Sequence, residues 1–363
     1  MTRFNLRPCM SAAGVYILLI LTLLGHQHRL ILALPSFKSR SPSLPHIVRY
    51  RHKDVASRSP LIVFGDSLSD TGNFGRRYHM GGYWFRHFTN GPVWNEYLAT
   101  ILDMQLYNFA YSGAITNKEL TAGYLPEFDF IPSLCGRARG TVAVVGASGI
   151  DVFRMMDRFA TGEIDLELYI KNVTGIITSN ANFLLEKGLA DRVVIWNLVP
   201  LELTMYEGRI FYHQVRRGCL AYRRHLQNWY NHYLDSPEHS DMWANSVVFV
   251  DMWSFYRVMI LPSVIEALNI KFTFERCMNS FGIFQDWPPC RHPDDYLFYD
   301  QAHYSTRVNA LIGAVLARLL EDPQYEISES NLLGLIAEYQ IGSVNATHNI
   351  FVNSDVDRVV NVW

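Results

Sequence analysis

The sequence predicts an α/β protein whose parallel sheet of about five strands is covered by helices on both faces. Three observations predict it. Short apolar runs closed by polar or glycine residues recur along the chain, helical patterns alternate with them, and an apolar stripe at helical spacing ends the series. The first strand is Leu61-Ile62-Val63-Phe64, a continuous apolar run stopped by Gly65, as expected of a strand buried on both faces. Leu106–Ala110, Thr141–Val145, Arg192–Leu198 and Ser246–Asp251 repeat that pattern. Helical periodicity near Ile164–Lys187 separates the third run from the fourth, and another stretch, roughly Tyr212–Leu234, separates the fourth from the fifth. After His303, Val308, Leu311, Ile312, Val315, Leu316 and Leu319 share one face of a last long helix. A short helix is expected at Asn331–Tyr339. The chain thus divides into an N-terminal leader (1–33), a linker (34–59), the α/β domain (60–322) and a C-terminal extension (323–363).

Composition narrows the function classes. With 49% hydrophobic and 18% charged residues in 363, the chain has enough apolar material for a large core and is not a disordered protein. Thirty-two basic against 34 acidic residues, with no basic run, argues against a nucleic-acid partner. Arg3 and Arg7 precede an apolar run from Ala12 to Leu24, and a second patch, Leu30 to Leu34, contains the small residue Ala33. This is the pattern of a secretory signal peptide cleaved near Ala33. An uncleaved anchor that includes the second patch is the alternative, and no other segment is long and apolar enough to span a membrane. Removal of the leader takes Cys9 and leaves Cys135, Cys219, Cys277 and Cys290. An even set in an oxidising compartment suggests disulfides. Cys277 and Cys290 flank a turn-rich stretch and are the preferred pair, and Cys135–Cys219 follows by elimination. The sequons at Asn172 and Asn345 fit a secreted, extracellular glycoprotein. A monomer is expected.

In sheets of this kind the active site lies beyond the carboxyl ends of the strands. Gly65-Asp66-Ser67-Leu68-Ser69-Asp70-Thr71-Gly72-Asn73 follows the first strand. A serine at such a turn exposes its hydroxyl beside free N–H groups that can hold an oxyanion. The same residues are equally those of an ordinary turn. Tyr299-Asp300-Gln301-Ala302-His303 supplies an imidazole base with a carboxylate one turn away, or else merely an N-cap and a first-turn histidine. Tyr83-Trp84-Phe85 and Trp94 read either as a substrate platform, with Trp84 and Trp94 contacting the substrate, or as core. The histidine pairs lack metal-site spacing, so neither a metal nor another cofactor is expected. Gly146-Ala147-Ser148-Gly149-Ile150 begins like a nucleophile elbow but ends in Ile.

Taken together, the Leu61–Asn73 and Asp300–His303 segments resemble the GDSL esterase/lipase family, the SGNH hydrolases. The resemblance runs from about Leu61 to Leu320 and implies a three-layer αβα, flavodoxin-like domain. It implies Ser67 as nucleophile, His303 as base and Asp300 as its orienter. Asn90-Gly91-Pro92-Val93-Trp94 looks like the loop before the family's second motif. Asn108-Phe109-Ala110-Tyr111-Ser112-Gly113-Ala114 resembles that motif itself, which makes the N–H of Gly113 an oxyanion donor alongside that of Ser67. Cys277 to His303 is similar to the family's secreted fungal carbohydrate-esterase-like branch. The implied substrate is a small-molecule or polysaccharide acyl ester, acetyl or short-chain, on a carbohydrate or a lipid. Activity is expected to be lost as pH falls through about 6–7, where an imidazole base takes up its proton.

One motif departs from the family. Where the resemblance implies an oxyanion-donating Asn before Asp151, the chain has Ile150, which has no side-chain donor; Ser148 is an alternative donor. The Thr116–Gly140 crossover also lacks a convincing amphipathic helix. These departures favour, as the alternative function, an impaired homologue that binds an acylated glycan or lipid.

Overall fold

The computed structural model describes residues 58–76, 80–116, 139–146, 149–204, 211–235, 246–278, 288–349 and 359–361. The expected strands form within it: β1 (Pro60–Gly65), β2 (Gln105–Asn108), β3 (Val142–Gly146), β4 (Arg192–Trp196) and β5 (Val247–Val250). β6 (Phe272–Arg276) and β7 (Tyr296–Phe298) make a separate two-stranded parallel ribbon, and β8 (Val359–Asn361) joins the main sheet. The order is β5-β4-β3-β1-β2-β8, with every neighbouring pair parallel. β2 ends at Asn108, short of Ala110; the Asn108 side chain accepts from the Ala110 N–H (3.0 Å), while Phe109 and Tyr111 still donate to the carbonyls of Val63 and Gly65.

The helices are α1 (Trp94–Ile101), α2 (Gly149–Arg154), α3 (Met156–Ala160), α4 (Leu166–Glu186), α5 (Leu201–Thr204), α6 (Tyr212–Asp235), α7 (Met252–Met259), α8 (Pro262–Ala267), α9 (Thr306–Glu321) and α10 (Glu329–Glu338). Asp165 caps α4 by accepting from the Leu168 N–H at 2.9 Å, and Asp251 caps α7 through Ser254. α4 packs on α6, and α1 on α9. β1→β2 runs one way along the sheet and β3→β4→β5 the other, so right-handed crossovers put these helix pairs on opposite faces. The strand order reverses beside β1, which is where such sheets place their site.

Residues 323–349 pack onto this domain. α10 lies against α8 and α9, and Arg307 ties the following turn down by donating to the carbonyls of Val344, Asn269 and Asp294 at 2.7–2.9 Å. β8 extends the sheet at β2. A strand of three residues is too short to leave a periodic trace in the sequence.

Cys277 and Cys290 are disulfide-bonded, with Cα atoms 4.9 Å apart. Cys219 corrects the expected second bond: it is a free thiol, fully buried on α6 and packed into the core. Its environment is that of a small apolar side chain, and burial pushes the thiol well up. Asn172 is exposed on α4, whereas Thr174 is buried and donates to the Ile170 carbonyl. Asn345 is half-buried, its side chain accepting from the N–H groups of Thr347 and His348. The leader, most of the linker, Cys135, Ser148 and residues 117–138 of the crossover lie outside the described residues. Among the described residues no helix is long and apolar enough to cross a membrane.

Candidate active site

The loop after β1 is built by its own short polar side chains. A Cβ at Gly65 would stand 2.9 Å from the Ser69 side chain, so glycine lets the chain double back there. Asp66 accepts from the Leu68 N–H (3.0 Å), and its carbonyl accepts from the Ser69 N–H. Asp70 is buried and accepts four backbone N–H groups, those of Gly72, Asn73, Phe74 and Ser112. Burial pushes its carboxyl up to about 6 against the pull of those bonds. Asn73 donates to the carbonyls of Asn108 and Ala110, while Asn108 and Asn95 both donate to that of Ser69. The β1 and β2 loops are therefore one cross-linked unit carrying Ser67 and, on the next turn, Gly113 in left-handed backbone (φ 81°).

The second half of the site follows β7. Asp300 Oδ1 accepts from the N–H groups of Ala302 (2.8 Å) and His303 (2.9 Å), closing a tight turn. Asn90 reaches across to accept from the Thr306 N–H at the start of α9, which anchors that helix to the loop before α1. His303 Nδ1 lies 2.8 Å from Asp300, and Nε2 lies 2.7 Å from Ser67 Oγ. The imidazole stacks on Phe88, centroids 4.9 Å apart. Ser67, Asp300 and His303 are 7%, 1% and 4% exposed. Burial raises the Asp300 carboxyl, but the His303 charge and hydrogen bonds from His303, Tyr83 and Ala302 outweigh it and hold the group below the usual carboxylate value.

In the sequence Tyr83 is one member of an aromatic run, with no local sign of this part. Its hydroxyl donates to Asp300 Oδ2 at 2.6 Å, so four side chains form one hydrogen-bonded line. No spacing rule links residues 217 positions apart, and only the fold brings them together.

Ser67 and His303 open onto a cleft of about 490 Å³, including its mouth. Ile150, second residue of α2, stands on its wall at the end of β3. Asp151 is turned away and accepts from the N–H and hydroxyl of Thr116; burial pushes its carboxyl up to about 6. The two tryptophans differ from the expected platform. Trp84 packs against Phe85 and His87 and is not among the residues that line this cleft. Trp94 is buried at the start of α1, edge-on to Trp196 (4.8 Å), and lines a neighbouring pocket. Among the described residues no group of three or more His, Cys, Asp or Glu is placed to hold a metal ion.

The thermolabile hemolysin of Vibrio parahaemolyticus is 42% identical to this chain over 67 residues, 17% of this chain and 16% of the hemolysin. The chain thus matches about a sixth of that relative's length. Two solved structures are similar at low identity. A catalytic mutant of an acetylxylan esterase from Geobacillus stearothermophilus is 18% identical over 75% of this chain and 97% of the other, with a TM-score of 0.40. A putative GDSL-like lipase from Parabacteroides merdae is 13% identical over 72% and 96%, with a TM-score of 0.38. The model of the GDSL-like lipase/acylhydrolase family matches residues 61–316, from β1 through most of α9. With the parallel αβα sheet and that match, the chain belongs to the GDSL-like lipase/acylhydrolase family, a family of carboxylic ester hydrolases.

Proposed function

We propose that this chain is a secreted serine hydrolase of O-acyl esters of carbohydrates or lipids. The observation that carries the reading is the unbroken line from Ser67 Oγ through His303 to Asp300, in a cleft at the carboxyl end of the sheet. Ser67 donates its proton to His303 Nε2 as its oxygen attacks the ester carbonyl. Asp300 accepts from Nδ1–H, fixes the tautomer and stabilises the imidazolium. The N–H groups of Ser67 and Gly113 hold the oxyanion. Collapse expels the alcohol, which takes the proton from His303, and leaves the acyl group on Ser67. Water then attacks with His303 as base and releases the acid. Secretion rests on the signal-like N-terminus, with the Cys277–Cys290 bond in keeping with it. A carbohydrate ester rests on the resemblance of Cys277–His303 to the secreted carbohydrate-esterase-like branch.

Wild-type protein and Ser67→Ala are to be compared on p-nitrophenyl acetate and butyrate; equal rates sink the assignment. Ile150 favours a second reading, an impaired homologue that binds acylated ligands. Loss of one oxyanion donor costs on the order of 10²–10³ in rate. Ile150→Asn is therefore expected to raise kcat about 10²-fold if the site is otherwise competent. No turnover by either form, with measurable acyl-glycan binding, would favour the binding module.

A further inference from the structure

His87 is buried, 6% exposed, yet its ring takes no part in the chemistry proposed above. Its Nδ1 lies 3.0 Å from the Phe85 carbonyl oxygen, and its Nε2 lies 3.1 Å from Glu96 Oε1 on α1. A carbonyl and an ionised carboxylate can only accept hydrogen bonds. Both ring nitrogens must then carry protons, which makes His87 a buried imidazolium paired with a buried carboxylate. Glu96 Oε2 accepts from the Val93 N–H at 2.8 Å, so the anion is fixed at the start of α1. Burial pulls the imidazole down, but Glu96, the two ring hydrogen bonds and the charge of Asp70 in the loop after β1 raise it above its ordinary 6.5.

The segment that this pair holds is strained. Phe85 and Arg86 both stand in left-handed backbone, with φ of 39° and 71°, where residues other than glycine fit poorly. Such backbone persists only where its surroundings over-determine it. Here the Trp84 carbonyl accepts from the His87 N–H at 2.8 Å, and the Trp84 N–H donates to the Thr89 carbonyl at 3.1 Å. The His87 ring adds a grip on the Phe85 carbonyl from inside. The turn is also seated on the segment that follows Ser67, where a Cβ at Gly75 would overlap that of Arg86.

This turn presents the groups that back the catalytic base. Tyr83 enters it and Phe88 leaves it, their rings 5.4 Å apart. Tyr83 donates to Asp300, and Phe88 stacks on His303. We infer that His87 is a positioning residue for the proposed hydrolysis: as an imidazolium it clamps the Tyr83–Phe88 turn to α1, and the turn aligns Asp300 and His303. The inference rests on the hydrolase reading only in making His303 the base. A neutral His87 ring leaves one nitrogen lone pair facing an acceptor oxygen, so loss of its proton loosens the turn. Activity should therefore carry an alkaline limb set by His87 besides the acid limb set by the base. The His87 contribution is full below 6.5 and is lost as pH rises through its raised value.

Wild type, His87→Gln, His87→Arg and Glu96→Gln are to be compared on p-nitrophenyl acetate by kcat, KM and the pH profile of kcat/KM, with circular dichroism for folding. His87→Gln removes the charge and is expected to lower kcat about tenfold or more, with KM changed by less than about twofold. His87→Arg, charged at every pH, is expected to recover most of kcat and to abolish the alkaline limb. Glu96→Gln weakens the hold on the proton and should move that limb to lower pH, and it keeps the test open if neither His87 variant folds. The readout without turnover is nuclear magnetic resonance of protein carrying isotope-labelled histidine. His87 with protons on both ring nitrogens at neutral pH, and His303 signals that move in Glu96→Gln, support the clamp. If these are seen in a protein that turns over no ester, the hydrolase reading alone fails. An active protein whose folded His87→Gln or Glu96→Gln form keeps wild-type kcat and pH profile, or whose His87 ring has an unprotonated nitrogen at neutral pH, overturns the clamp and leaves the hydrolase reading standing.

Discussion

Tyr83 shows how one residue acts through another. Its hydroxyl donates to Asp300 Oδ2, the oxygen that also faces His303 Nδ1, while the Ala302 and His303 backbone N–H groups take Oδ1. A hydrogen bond to an ionised group is worth about 1.5–3 kcal/mol. Tyr83→Phe is therefore expected to lower kcat/KM by about tenfold or more while the protein stays folded, because Asp300 loses a donor that fixes the plane in which it meets His303. Asp300→Asn is expected to cost roughly 10³–10⁴ in kcat, as the imidazole loses both charge partner and tautomer control. Steady-state kinetics with circular dichroism on both variants checks this. A Tyr83→Phe protein with wild-type kinetics would remove Tyr83 from the positioning of the base.

Helix α9 carries the stripe that made it legible in the sequence, yet the stripe understates its burial. Its residues from Thr306 to Ala317 are all buried, because α1 covers one side and the sheet another. Gly313 is the point of closest approach: a Cβ there would lie 2.7 Å from Tyr97 Cβ and 2.8 Å from the Trp94 carbonyl oxygen. In an exposed helix interior Gly→Ala stabilises by about 1 kcal/mol. Here the added methyl must push α1 away, and overpacking of this kind costs about 1–3 kcal/mol. Gly313→Ala should accordingly lower the melting temperature. A rise would mean that α1 and α9 can separate freely, contrary to the packing described. By contrast, Gly334 on α10 has open space around it, so the same change there should raise stability or leave it unchanged.

For the whole molecule, the buried acids set the pH of greatest stability. Burial raises Asp70 and Asp151 from the ordinary 3.8 to about 6. The folded protein holds those two protons more tightly than the unfolded chain, so the stability they contribute is full below 3.8 and is lost progressively as pH rises from there to about 6. His87 acts in the same direction. Burial pulls it down, but the charge and hydrogen bond of Glu96, 3.1 Å away, raise it overall, and its contribution fades above its raised value. Asp300 and Asp251 have the opposite sign: both are held below 3.8, and what they contribute is lost as pH falls below that value. Thermal stability should therefore peak near pH 4, fall as pH rises to about 6, and fall again above about 6.5 as the His87 contribution fades. Thermal melts across that range are the check, and a maximum at pH 8 would contradict the assignment of buried acids.

The sequence by itself determined the sheet, the long helices and the Ser67, Asp300 and His303 candidates, because each leaves a local trace. A strand buried on both faces is a continuous apolar run, a long helix is a 3.6-residue stripe, and a turn that carries a reactive side chain is written in Gly, Asp, Ser and Asn. Only the tertiary structure decided the Tyr83–Asp300 bond, the free and buried Cys219, the packing of Trp84 against His87 and the β8 edge strand. These depend on which distant segments meet, and on which way each side chain faces when they do. An aromatic or a cysteine in a core and one in a site have the same local sequence chemistry, and packing alone tells them apart.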